Sequence, residues 1–392
     1  MQTLIELYDE RPIENVLAME VFNPEEVVFL CPTEAAQDRQ MQEKLREYAR
    51  KQGLAARMTF LETSPYRADR VKRQLERVVE THPGCVLDIT GGTDAALFAG
   101  GLLCAGTDIP VFTFSRKRGR FYNISGADFA DDLPCTVQHQ VEDIFLMAGG
   151  AVRTGRVDNA ILGRYLPKID ALFGIYLRYR RDWPRLVTYI QRISQCPPDA
   201  EPPLHAEGPW EVKGEQGKRL AAPEPLLRDL ERAGFLRRLH IRRGESVAFD
   251  FRDAQIRWWL RDVGSALELS VYKSCLDTGI FHDVRTSVVV DWAGGFRRDS
   301  VTNELDTVAV RGITPLFVSC KTCPVSTEAL NELAVLRDRF GGAIARAAIV
   351  TAEYCRAVTR HRAAALDIDV IDIDDLRSGA VGQRIREIME RE

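Results

Sequence analysis

The sequence predicts an α/β protein in three parts: a doubly wound sheet at the N-terminus, a largely helical connector and a smaller α/β core at the C-terminus. Three observations carry this expectation. Short apolar runs alternate with helical periodicities from Thr3 to Phe114, which is the pattern of a parallel sheet covered by helices. A turn rich in glycine and threonine, Thr90-Gly91-Gly92-Thr93, separates one of those strands from its helix. Near the C-terminus, Asn303 to Cys323 reads as a hairpin within an α-β-β-β-α-β order. The 392 residues allow two or three domains, with expected boundaries at 1–150, 151–255 and 256–392.

In the first part, Thr3 to Leu7 is a strand and Pro12 to Phe22 a helix with proline at a favourable early position. Glu26 to Leu30 is a strand. Thr33 to Gly53 reads as one long polar helix, with Thr33 as N-cap and glycine at its close. Met58 to Leu61, Cys85 to Ile89 and Val111 to Phe114 are further strands. Arg67 to Thr81 and Asp94 to Cys104 are the helices between them. Leu133 to Val152 is expected to add edge strands.

Ligands of such a sheet bind outside the carboxyl ends of its strands. There Thr90, Gly91, Gly92 and Thr93 offer close backbone approach and N–H groups at a helix N-terminus, a phosphate cradle. The turn lacks the lysine of a Walker A loop and the spacing of a GxGxxG loop, which disfavours a dinucleotide oxidoreductase. Other strand ends converge on it: Tyr8-Asp9-Glu10, Cys31-Pro32-Thr33 and Ser115-Arg116-Lys117. Asp94 opens the following helix.

The connector, Asn159 to Arg192, is helical. Its Arg178 to Trp183 stretch reads as a core stripe with a solvated face rather than a nucleic-acid contact. Cys196 to Pro225, rich in proline, glycine and charge, is the linker candidate. Pro225 to Ala233, Phe235 to Ile241 and Ser246 to Phe251 resemble a winged-helix element bearing Arg237, Arg238, Arg242 and Arg243.

In the C-terminal part, Glu304, Asp306, Val308 and Val310 alternate, so both carboxylates are expected on one strand face. Across the Arg311 to Pro315 turn, Ser319 and Lys321 share a face of the next strand. Glu268 lies on a helix upstream, and Ser287 to Asp291 is an intervening strand that ends in a capping aspartate. Thr327 to Phe340, Ala347 to Thr351, Glu353 to Ala365 and Asp369 to Ile373 complete the core as helix, strand, helix and strand. Carboxylates holding a divalent cation beside a lysine ammonium are the apparatus of metal-assisted phosphodiester hydrolysis. A buried Asp306–Lys321 salt bridge is the plain structural alternative.

Helix Glu268, strand Asp306 and strand Lys321 in this order resemble the PD-(D/E)xK nuclease core, which is restriction-endonuclease-like. The residue two before the lysine is Ser319 instead of the usual carboxylate. Either Glu304 or Glu268 supplies the missing charge, or the metal is held mainly by Asp306 and the Cys320 carbonyl. Over the whole chain, the Ile89-Thr90-Gly91-Gly92-Thr93 turn, the Leu267-Glu268…Val271-Tyr272 helix, Asn303-Glu304-Leu305-Asp306 and Cys320-Lys321-Thr322 resemble the CRISPR-associated CARF–nuclease family of type III systems.

That resemblance implies a Rossmann-like CARF sheet and a homodimer. Its paired sensor domains bind a cyclic oligoadenylate, most often cyclic tetra-adenylate, and switch on a nuclease using Mg²⁺ or Mn²⁺ against single-stranded RNA or DNA. The family commonly carries lysine after the glycine turn, where this chain has Asp94. The rival reading is a nucleotide-sensing transcription regulator with a degenerate nuclease core.

Lysine and arginine total 53 against 57 acidic residues, a net charge near −4. Any nucleic-acid surface must therefore be a local patch. No run approaches membrane-spanning length, the N-terminus lacks signal-peptide features, and nine scattered cysteines suit buried thiols in a reducing cytoplasm. Cys320 and Cys323 have CxxC spacing without a second pair, so zinc is not expected.

Overall fold

The computed structural model describes residues 1–10, 12–155, 157, 159–196, 202–214 and 217–391. The first sheet runs β1 (Thr3–Leu7), β2 (Glu26–Cys31), β3 (Arg57–Glu62), β4 (Val86–Asp88), β5 (Val111–Ser115), β6 (Arg120–Ser125) and β7 (Leu133–Pro134) in chain order. In space the order is β3-β2-β1-β4-β5-β6-β7, parallel through β5 and antiparallel beyond. The order reverses between β1 and β4, so the loops after these two strands flank the crevice where doubly wound sheets take ligands.

Helices α1 (Leu17–Phe22), α2 (Thr33–Gln37), α3 (Arg39–Lys51), α4 (Ala68–Thr81), α5 (Asp94–Cys104) and α6 (Val141–Met147) cover this sheet. Two expected helices are broken. Pro12–Asn15 is a 3₁₀ turn ahead of α1. The long helix from Thr33 divides at Asp38, whose carboxylate accepts the Met41 N–H at 3.0 Å and caps α3.

The connector begins with β8 (Ala151–Thr154), α7 (Asn159–Leu162), α8 (Leu166–Arg178) and α9 (Trp183–Ile193). Next come β9 (His205–Pro209), β10 (Glu211–Lys213), β11 (Arg219–Ala221), α10 (Glu224–Arg232), β12 (Leu236–Arg242), β13 (Ser246–Phe251) and α11 (Ala254–Trp259). The expected linker from Cys196 to Pro225 lies partly outside the described residues, and the rest of it is structured. Its His205–Pro209 segment pairs with β13, giving a β12-β13-β9 sheet beside α10. Trp183 and Tyr189 are fully buried, whereas Arg178 and Arg180 form ion pairs with Asp229 and Glu353.

The C-terminal core holds α12 (Ser265–Thr278), β14 (Asp283–Asp291), β15 (Thr302–Arg311), β16 (Thr314–Lys321), α13 (Thr327–Phe340), β17 (Arg346–Thr351), α14 (Ala357–Ala365), β18 (Asp369–Ile371), α15 (Ile373–Ser378) and α16 (Val381–Glu390). Its sheet order is β18-β17-β16-β15-β14-β8. The expectation that the chain to Val152 extends the first sheet is corrected here. Leu133–Pro134 does so, but Ala151–Thr154 pairs with the open edge of β14.

The two sheets are packed against each other and are not held apart by the connector. Phe145 of α6 stacks on Phe317 of β16 at 5.6 Å and meets Phe340 of α13 at 5.1 Å. Leu305 and Val308 share one apolar cluster with Phe112 and Phe121 of the first sheet. Burying each such side chain contributes about 1.5–3 kcal/mol, so the first and second sheets rest on a common core.

Candidate functional site

The catalytic candidates meet where the second sheet opens. The β15–β16 ladder runs from Arg311 and Thr314 to Thr307 and Val318, then stops. At the next position the Asp306 carboxylate takes over, accepting the Cys320 N–H at 2.6 Å and the Ser319 hydroxyl at 3.4 Å. On the other side, pairing with β14 is interrupted opposite Asp306 at Ser287, whose φ is 52°. Asn159 of α7 holds this bend by bonding both backbone groups of Thr286 at 2.9 Å. Thr286 in turn donates its hydroxyl to the Asp306 carbonyl at 2.7 Å.

The opening changes which face the side chains occupy, and corrects the simple alternation. Leu305 and Val308 pack on the α6–α13 side, while Ala309, Leu316, Val318 and Cys320 pack on the α12 side. The carboxylates are thereby separated from Val308 and Val310 and fall within the field of Glu268 on α12. Glu304, more exposed, accepts the Ser287 hydroxyl at 2.6 Å.

Glu268 sits one turn into α12 and folds back over Gly264, where an added Cβ would collide with its carboxylate. Asp262 holds the helix start, accepting the N–H groups of Gly264 and Ser265 at 3.1 and 2.9 Å. Burial, then the charges of Asp306, Asp262 and Glu304, push the Glu268 carboxyl up to about 8 against the pull of Lys321. Burial raises Asp306 to about 6, assisted by Glu304 and opposed by the Cys320 N–H, Lys321 and Ser319. The Cys320 thiol is pushed well above its ordinary range by burial and the same carboxylates.

The plain salt-bridge alternative is not realised. Among the described residues, no ion pair within 4.0 Å joins Lys321 to Asp306 or Glu268. Nor do three His, Cys, Asp or Glu side chains there come together as a metal cage. What the site holds is two half-buried carboxyl groups whose loss of a proton is suppressed, and which no ion pair within 4.0 Å joins to Lys321 among the described residues. Asp291 is a cap, as expected: its carboxylate accepts N–H groups of Ala293 and Gly295 at 2.9 Å and the Ser300 hydroxyl at 2.9 Å. Those bonds hold its carboxyl down at about 2.

In the first sheet, the turn after β4 lies tight against β1. A Cβ on Gly91 would stand 2.8 Å from Asp9 Cβ, and one on Gly92, at φ 97°, would stand 2.7 Å from Leu7 Cβ. Only glycine fits at both. Thr90 turns inward: its hydroxyl donates to Asp88 and accepts the Phe114 N–H at 2.8 Å, tying β4 to β5. Thr93 caps α5 by accepting the Ala96 N–H at 3.3 Å, and Asp94 is exposed.

Of the other sensor candidates Asp9 stands against Gly91, while Tyr8 and Glu10, Thr33, and Arg116 and Lys117 line different cavities of the chain. Tyr8 and Glu10 line a cavity of about 380 Å³ shared with Lys44, Trp292 and Arg339, so it spans both lobes. The backbone of Asp9 donates its N–H to the Asn15 side chain at 2.9 Å and its carbonyl accepts from that side chain at 2.8 Å. Thr33, which follows Pro32 and donates to Glu62 at 2.8 Å, borders a separate cavity of about 460 Å³. Ser115 ends β5, Arg116 pairs with Glu14, and Lys117 faces a third cleft. The second cavity is also lined by Thr63, Ser64, Arg70, Arg73 and Arg77, which sequence reasoning missed. The signal was available, since the three arginines recur at helical spacing on α4. Ser287 and Asn159 were missed as well.

In the winged-helix-like part, Arg238 pairs with Asp250 and Arg243 with Glu224 at 2.7 Å. No helix among the described residues is long and apolar enough to cross a membrane.

Residues 259–390 match a protein family described as "Card1-like, endonuclease domain". Among solved structures, VC1899 from Vibrio cholerae superposes with a TM-score of 0.74 at 17% identity, covering 98% of this chain and 97% of that one. Can2 from Sulfobacillus thermosulfidooxidans, solved in complex with cyclic tetra-adenylate, gives 0.71 at 16% identity and covers 99% of both chains. The sequence matches none of the curated proteins.

Proposed function

Starting from a Card1-like endonuclease domain at residues 259–390 and the two-lobed fold of Can2 over the whole chain, we propose that this protein is a CRISPR nuclease activated by a cyclic oligoadenylate. The observation that carries the reading is the pair of half-buried carboxyl groups, Glu268 and Asp306, both with raised pKa and without an ion-pair partner among the described residues, within the field of Lys321. Neighbouring carboxyl groups that hold their protons in this way are charged again when a divalent cation joins them.

The donor set fits a hard divalent cation such as Mg²⁺ or Mn²⁺, with Glu268, Asp306 and the Cys320 carbonyl as holders. With so few protein ligands, a bound Mg²⁺ would keep several waters, as it commonly does. Bound there, the metal supplies Lewis acidity and lowers the pKa of water for attack on the phosphodiester. Lys321 places its ammonium where charge develops on the phosphate oxygens. The Cys320 N–H orients Asp306; Ser319 and Glu304 give secondary support.

Residues 1–150 are assigned to activator sensing, 151–255 to the connector and 256–392 to the nuclease. Cyclic tetra-adenylate is the first candidate activator, read by the Thr90 to Thr93 turn and the neighbouring strand ends. A homodimer is the proposed assembly, because Tyr8, Thr33 and Lys117 line separate cavities of a single chain and α5, which follows the turn, exposes Leu97, Phe98 and Leu102. A two-fold pocket suits a symmetric ring. The test is cleavage of labelled single-stranded RNA, single-stranded DNA and plasmid, each with and without cyclic tetra-adenylate and Mg²⁺ or Mn²⁺. Cleavage that requires both additions supports the reading; cleavage indifferent to both contradicts it.

A further inference from the structure

At the end of the catalytic hairpin away from Asp306, the turn between β5 and β6 faces the turn between β15 and β16 across an open cleft of about 630 Å³. Arg116, Lys117 and Arg118 come from the first lobe, and Arg311, Arg346 and Arg391 from the second. Glu390 is the acidic residue in the described lining. In a chain of net charge −4 this clustering is local and is not a consequence of composition.

Part of the charge is balanced within the protein. Arg116 pairs with Glu14, and Arg391 with Asp369. Arg346 donates to the Arg391 carbonyl at 2.6 Å, a bond that leaves its charge in place. Arg311 is exposed and has no ion pair among the described residues. Arg311 and Arg346 lie at the same end of their sheet, since Arg311 pairs with Thr314 and Arg346 with Leu316. Asp306 and Lys321 mark the other end. Five residues of strand separate Arg311 from Asp306, roughly 17 Å.

We propose that this cleft holds the phosphodiester backbone of the polynucleotide substrate at a point remote from the cut. The inference rests on the nuclease reading above. A stacked strand advances about 3.4 Å per nucleotide, so about five nucleotides span the interval. A single phosphate needs one guanidinium fork. Basic groups spread over two facing walls suit a chain of phosphates lying along the cleft. The contact adds affinity without touching the reacting phosphate. The activator ring has the same phosphodiester chemistry, so the experiment must separate the two sources.

The variant is Arg311→Glu in the full-length chain, at an exposed turn where no ion pair is lost; Arg311→Glu/Arg346→Glu is the stronger version. Four readouts are compared with the parent: binding of a long single strand in EDTA, cleavage of that strand, cleavage of a trinucleotide, and binding of labelled cyclic tetra-adenylate. The double variant should bind the long strand about tenfold or more weakly, with a salt dependence shallower by roughly 1.4 in slope, about 0.7 for each phosphate no longer neutralised. Its kcat at saturation, its trinucleotide cleavage and its activator affinity should match the parent. Equal loss on long and short substrates, no loss on the long strand, or weakened activator binding would each overturn the proposal. Because binding is read without turnover, a parent that binds the strand but never cuts it sinks the nuclease reading and leaves the cleft standing. A melting curve matching the parent's for Arg311→Glu alone guards against misfolding.

Discussion

The Asp306 carboxylate accepts the backbone N–H of Cys320 at 2.6 Å, at the position where the ladder between their two strands has just ended. A side chain replaces a backbone carbonyl there. The catalytic aspartate candidate is thus oriented by the strand that carries Lys321.

Ser319 reaches the same carboxylate at 3.4 Å, a long and weak bond. Ser319→Ala should therefore lower the cleavage rate by less than about threefold, a loss below 1 kcal/mol. Glu268→Ala should cost about 100-fold or more, because it removes one of two half-buried oxygen donors. Steady-state rates at saturating activator and metal decide the matter. Severe loss from Ser319→Ala with an unchanged melting curve would make its hydroxyl a direct participant.

Gly92 has φ 97° and faces Leu7 with no room for a Cβ. Gly92→Val should push the turn off β1, lower stability by about 1–3 kcal/mol, and remove the response to cyclic tetra-adenylate. The check is cleavage rate against activator concentration. A parent-like curve would show that the turn does not read the ring.

Phe98, Leu102 and Leu97 on α5 are 63%, 41% and 37% exposed, on the helix that Thr93 caps. Phe98→Glu should shift the chain toward monomer in sedimentation and raise the activator concentration needed for half-maximal cleavage. A dimer that persists in the variant with unchanged activation would place the contact elsewhere.

Glu6 and Asp88 are neighbours in register on β1 and β4, both 1% exposed, and Glu6 Oε1 has no hydrogen-bond partner among the described residues. Burial raises Glu6 well above the ordinary range, with help from Asp88, and raises Asp88 to about 7 despite the bonds from Thr90. The folded state thus holds these protons more tightly than the unfolded chain. Their stabilising contribution is present below the ordinary carboxylate pKa and is lost as pH rises above it, through about 7 for Asp88. Glu6→Gln should raise the melting temperature near about pH 8, by less near about pH 5, and leave it unchanged near about pH 3, below the ordinary glutamate range. The same pH slope in parent and variant would remove these carboxyls from the account.

The strands and the glycine turn were legible because apolar runs and a two-glycine punctuation are local signals. The opening of the sheet at Asp306 was not. It depends on a positive φ at Ser287, a residue type with no preference for it, and on Asn159, which is 127 residues from the Thr286 it holds. The edge pairing of Ala151–Thr154 escaped for a similar reason, since four residues carry too little pattern to choose a sheet. The break at Asp38 lacks glycine or proline. By contrast, α15 was missed although Asp372 and Asp375 form a capping box in plain view. The carboxylates and lysine could be named from the sequence, whereas the absence of an ion pair among them needed coordinates.

The central claim is tested most directly by Asp306→Ala. Cleavage of the preferred strand is measured with cyclic tetra-adenylate and Mn²⁺, with and without EDTA, alongside equilibrium binding of the activator. The account predicts that the variant loses at least about 100-fold in rate, that EDTA stops the parent, and that both chains bind the activator equally. An Asp306→Ala chain that cuts as fast as the parent, with EDTA present, would contradict it.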